Sequence, residues 1–221
     1  MNRRYAASTA FALTLAAGAV LTPTDARGAT RPITSGHGWA LTKPVTHIDT
    51  KPWVIGFHDS RSRTKLTPYL KKTAAELTTR LGVKVTVSSR IIPARRYTCG
   101  PTHTITFRYM SKPNPARPNE SFAGGCNVRG RADSGYAFIN SDYWAKGRRI
   151  SEAQRMNLIW HETAHTIGLK HPATCPRDKK TGRKPLMCDV NSYRSLSSRR
   201  YTAFEVKAFA NLRANRARVA R

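Results

Sequence analysis

Acidic residues are scarce in this chain. Twelve Asp and Glu stand against 39 Lys and Arg among 221 residues, a formal charge of +27. So few carboxylates leave little from which to build a dedicated calcium cage, and no EF-hand-like run of them occurs. Long hydrophobic runs are missing after residue 26, which excludes a membrane-spanning helix from the rest of the sequence. The four cysteines include no C-x-x-C pair, which weighs against a thiolate metal site. No internal repeat is found, which sets aside repeat architectures. The 13 prolines and 14 glycines are spread out, and with 39% hydrophobic residues the composition is that of a globular domain able to build a core. The length suits one domain of ordinary size.

The N-terminus is the one place where apolar residues run together. Arg3 and Arg4 form a short basic region, Tyr5 to Leu21 is uncharged and rich in Ala and Leu, and Thr24-Asp25-Ala26 offers small residues for cleavage. This is the pattern of a secretory signal peptide over residues 1–26, exported by a general or a twin-arginine route. Cleavage there removes two arginines and one aspartate, so the +27 chain becomes a secreted, extracellular chain of +26. Such a surface attracts anionic cell-wall polymer or nucleic acid, or serves only to keep the protein in solution. In an oxidising compartment four cysteines allow three disulfide pairings. Cys99 with Cys126 and Cys175 with Cys188 is favoured, because each pair closes a modest loop.

Residues 27–50 are polar and read as an extended arm or short pro-segment ahead of a catalytic domain over 51–221. Pro52 to His58 is apolar and β-branched, a strand. Leu66 to Leu81 places Tyr69, Leu70, Ala74, Leu77 and Leu81 on one helical face, and Gly82 ends it. Val83 to Val87 alternates as a half-buried strand does, and Thr102 to Met110 is another. The three prolines of residues 111–119 make a loop. Phe122 to Arg131, with Gly124-Gly125, suits a short irregular edge strand, followed by a strand over Gly135 to Asn140. Ser151 caps a helix whose apolar positions include Met156, Ile159 and Trp160. The chain is then irregular from residue 172 to about 198, before a closing helix over roughly Thr202 to Ala214. This order predicts an α/β (α+β) domain built on a small twisted mixed sheet.

Residues 161–171 read HETAHTIGLKH. His161 and His165, four apart on a helix, project from one face and can bind one ion without strain. Glu162 lies beside the first histidine, close enough to take a proton from water at the metal. Gly168 can leave the helix through a left-handed turn, so that the chain bends back and presents His171. Three neutral nitrogens with a fourth position open is the arrangement of a catalytic zinc rather than a structural one. With seven His, five Glu and 14 Gly in the chain, all five positions fall in place by chance on the order of once in a hundred thousand such sequences.

The motif resembles the HExxHxxGxxH zinc signature of the metzincin metallopeptidases, which include the astacins and matrixins. Those enzymes also carry a methionine in a tight turn beneath the zinc. Here Pro185-Leu186-Met187-Cys188 follows His171 by a short stretch, and Met187 is the sole methionine after the motif. Gly135 to Trp144 is similar to the strand before the matrixin active-site helix, and Tyr201 to Glu205 to the start of the family's last helix. The resemblance implies a zincin fold with an antiparallel edge strand, one catalytic zinc on His161, His165 and His171, and Glu162 as general base. It also implies a polypeptide substrate bound along the edge strand near residues 122–131, and a specificity loop over Met187 to Ser198. There are departures. Cys99-Gly100-Pro101 lies too far inside the chain to be a matrixin-type cysteine switch. Asp189 stands where astacins keep a zinc-binding tyrosine, with Tyr193 off register. The small bacterial enzyme snapalysin has Asp as third ligand where this chain has His171.

The expected activity is that of a secreted zinc endopeptidase. Two rivals remain open: a basic protein that coats nucleic acid or anionic envelopes, and a zinc amidase or peptidase acting on peptidoglycan cross-links.

Overall fold

The computed structural model describes residues 31–93, 98–145, 147, 150–188 and 201–220. The signal-peptide segment 1–26, the positions Asp189 and Tyr193, and most of the expected specificity loop lie outside the described residues. The described residues form two sheets and three α-helices, a mixed α+β architecture.

The first strands, β1 (Ser35–Gly36) and β2 (Trp39–Leu41), precede β3 (Trp53–Phe57). Helix α1 (Ser60–Leu81) begins six residues before the periodicity at Leu66 suggests, because the Asp59 side chain caps it by accepting from Ser62 N at 2.7 Å. Its predicted apolar face is buried, together with Leu66, Ser62 and Thr73, and Gly82 ends it in a left-handed conformation with φ 63°. Strands β4 (Val85–Ile91) and β5 (Thr104–Met110) follow. Strands β3 and β5 are buried along most of their length, as parallel strands covered on both faces must be.

The segment expected as a single edge strand over 122–131 is divided. Strand β6 (Phe122–Val128) ends in a two-residue turn, and Arg131 already belongs to β7 (Arg131–Asn140). Arg129 and Gly130 have φ 49° and 81°; positive φ at both central residues is the turn whose twist matches a hairpin. A register shift between Cys126 and Asn127 gives the edge strand its irregularity. The main sheet runs β4-β3-β5-β7-β6, with parallel pairing throughout except for the antiparallel edge strand β6.

Helix α2 (Glu152–Thr166) starts at a capping box: Ser151 Oγ accepts from Gln154 N at 3.2 Å, and Ser151 N donates to Gln154 Oε1 at 2.7 Å. It is followed by β8 (Leu169–Lys170) and, at the end of the chain, by helix α3 (Ala203–Val219), which runs five residues beyond Ala214. Both expected disulfides are formed, Cys99 to Cys126 and Cys175 to Cys188. The first staples the loop before β5 to β6. The second joins the segment after His171 to the turn containing Met187.

Residues 31–50, read from sequence as an arm, are packed into the domain. Trp39, Leu41, Val45 and Ile48 are each 1–2% exposed and belong to the main core. Strand β2 pairs with β1 on one side and with β8 on the other. The buried Asn215 of α3 accepts from Ile33 N at 2.9 Å and donates to the carbonyls of Ile33 and Thr46. Four apolar residues scattered in a polar stretch are too few to show periodicity, so the sequence pattern does not reveal this.

Helix α2 lies against β6 and β7 through Gly125 and Gly135. A Cβ at Gly135 would meet Thr166 Cβ, O and Cα at 2.5, 2.6 and 2.9 Å, and one at Gly125 would meet the carbonyl oxygens of His165 and Thr166 at 2.9 Å. Because the obstacle is helix backbone, a side chain there pushes α2 off the sheet. Gly135→Ala is expected to lower stability by about 1–3 kcal/mol. A denaturant midpoint equal to that of the unaltered protein would show that the helix yields at no cost.

Candidate metal centre

Helix α2 carries His161, Glu162 and His165 on its last turns, with His161 and Glu162 buried and His165 half-buried. The helix stops at Ile167, and Gly168 turns the chain back with φ 100°. A Cβ at Gly168 would meet Val45 Cγ1 at 2.5 Å, so the residue serves both the turn and the close approach of the N-terminal segment. Strand β8 then pairs antiparallel with β2, matching Ala40 with Lys170 and Leu41 with Leu169, while Thr42 N donates to Gly168 O at 2.7 Å. His171 follows directly, so its position is set by the segment that looked like an arm.

The three histidines converge. Their ligand atoms lie within 4.8 Å of one another, the one such group of three or more His, Cys, Asp or Glu among the described residues. The Nε2 atoms are 3.1 Å apart for His161 and His171, and 3.2 Å apart for each of the other two pairs. His161 Nδ1 lies 2.8 Å from Leu186 O, and His165 Nδ1 lies 2.8 Å from Leu169 O. A carbonyl only accepts, so both Nδ1 atoms carry the proton and both Nε2 atoms present a lone pair. Facing lone pairs at that separation make no hydrogen bond; they suit a shared cation. A tetrahedral ion with metal–nitrogen bonds of about 2.0–2.1 Å holds its ligand atoms about 3.3–3.4 Å apart, and the observed spacing is near this. The three histidines therefore form a group able to hold a metal ion, with carbonyls orienting two of the rings from behind.

Burial sets the charge states. It pushes His161 well below its usual value, with His165 nearby acting in the same direction. It pushes His165 down to about 4, although the Leu169 carbonyl opposes the shift. Glu162 is raised to about 8, first by burial and then by the charge of Glu120, and its Oε2 finds no hydrogen-bond partner among the described residues.

The turn after the loop is anchored from α3. Cys188 N donates to Pro185 O at 3.2 Å, and Met187 is 1% exposed. Met187 N donates to Glu205 Oε1 at 3.1 Å. The second oxygen of Glu205 accepts from Thr202 N at 2.9 Å and from the Thr202 hydroxyl. Leu186 O meets His161, so the buried Glu205 holds the turn that orients a histidine. The Thr202-x-x-Glu205 spacing is visible in sequence as a capping box, but nothing in it signals the link to Met187. The roles of Leu186, Leu169 and Val45 likewise carry no sequence signature.

No protein-family model matches this chain, and no curated protein matches it.

In the metal-free protein Glu162 is a destabilising residue at neutral pH. Its folded-state value of about 8 lies above the ordinary 4.5. Its contribution to stability is therefore complete below pH 4.5 and is lost as pH rises through about 8. Glu162→Gln should stabilise the metal-free chain at pH 7 by about 1–3 kcal/mol, with the gain shrinking toward pH 4.5. Denaturant midpoints across that range check it, and a gain independent of pH would refute the assignment.

Proposed function

We propose that this protein is a secreted zinc endopeptidase of metzincin type. The observation that carries the reading is the convergence of three Nε2 atoms beside a buried carboxylate one residue along the same helix. The antiparallel edge strand, the left-handed exit at Gly168 and the buried Met187 in a tight turn behind His161 support the metzincin comparison. The two disulfides and the N-terminal signal pattern support secretion.

His161, His165 and His171 would hold the ion, and three imidazoles without thiolate suit zinc in a catalytic setting. When bound, zinc supplies Lewis acidity, making a water more acidic and a scissile carbonyl more electrophilic. Glu162 takes the proton from the attacking water and later delivers it to the departing amine. The outer edge of β6, which has no neighbour in the sheet order, receives the substrate as an added strand through backbone hydrogen bonds. The charge of +27 favours attachment to anionic wall polymer or nucleic acid as a localising device, and leaves peptidoglycan cross-links as a second substrate class.

The purified chain should carry one zinc and degrade an unfolded protein, and a chelator should stop it. Glu162→Ala should lower turnover by at least about a hundredfold while zinc remains bound, and His171→Ala should lose metal. Full zinc content without cleavage of unfolded protein would redirect the assignment to wall substrates. Absence of zinc from the wild-type chain would end it.

A further inference from the structure

A pocket of about 480 Å³ lies between the N-terminal segment and the chain after β8. His171 forms part of its wall, which puts an occupant next to one of the three candidate ligands. Its apolar lining includes the buried Trp39 and Leu41, each 2% exposed, and the exposed Ala173. Two cations, Lys43 and Lys170, line it from different segments, and no acidic residue does.

An apolar lining that also carries two lysines and no carboxylate suits a short stem ending in an anion. We infer that this pocket selects a glutamate or aspartate side chain of the peptide substrate, close to the scissile bond. The inference rests on the peptidase reading and adds the substrate class. Lys170 is placed for it by the pairing of β8 with β2, and Lys43 by the turn that follows β2. The general excess of positive charge would favour acidic peptides at every position alike, whereas a pocket favours them at one.

The test uses the zinc-loaded full chain and peptides in which one residue, Glu in one set and Gln in the other, is stepped across four positions on each side of the cut. At one position the Glu peptide should be cleaved about five- to tenfold better in kcat/KM than its Gln counterpart, the effect expected of two partly exposed ion pairs. K43E/K170E should abolish or reverse that ratio, and K43Q should reduce it. The ratio is taken within each variant, so a loss of overall activity does not blur it. Binding of the same peptides to Glu162→Gln should show the same preference without turnover. Cleavage with a flat Glu-to-Gln ratio, or with a ratio unchanged in K43E/K170E, overturns the inference and leaves the peptidase reading intact. If neither peptides nor unfolded protein are cut, the peptidase reading falls and takes this inference with it.

Discussion

Three imidazole Nε2 atoms facing one another at 3.1–3.2 Å are the constraint around which the structure is arranged. Such groups repel unless something holds them, and here the holding is done by backbone carbonyls, one nearby and one distant in the chain. Leu186 O fixes His161 and Leu169 O fixes His165. The turn bearing Leu186 is in turn held by Glu205 of α3, and β8 by β2. The stiffness of the centre therefore derives from residues 39–45 and 201–205, although the motif itself spans only eleven residues.

Close approach of backbone does the rest. Gly125 and Gly135 let α2 settle on the edge of the main sheet, and Gly168 lets the chain reverse beneath Val45. Each removes a side chain where another segment must pass. The consequence is that the helix carrying two of the histidines lies directly against β6, the last strand of the main sheet among the described residues.

Much of this was legible in sequence where a local rule applies. The buried face of α1, the Ser151 cap, the exit at Gly168, the antiparallel edge strand and both disulfide pairings follow from spacing or resemblance. The misjudged elements are those with a weak local signal or a distant partner. The first turn of α1 is polar, so only its Asp59 cap marks the start. The hairpin turn at Arg129-Gly130 contains one glycine rather than a stronger turn pair, so β6 and the first residues of β7 read as a single strand. The packing of residues 39–48 has no period to betray it. For the centre, all the side chains of the motif could be picked out. The carbonyls that orient them could not, since every residue has one.

The charge states tie the site to its cation. Burial lowers His161 and His165 and raises Glu162, so near neutral pH all three are driven to their uncharged forms. The two effects oppose each other in pH: the histidine contribution to stability is complete above 6.5 and is lost as pH falls through about 4, whereas that of Glu162 is complete below 4.5 and is lost as pH rises through about 8. No pH satisfies both. A divalent cation on the three Nε2 atoms removes the conflict, because it requires neutral imidazoles and its field favours ionised Glu162. A buried carboxylate next to one buried and one half-buried histidine is thus a poor choice for a purely structural core and a sensible one for a site that is completed by metal.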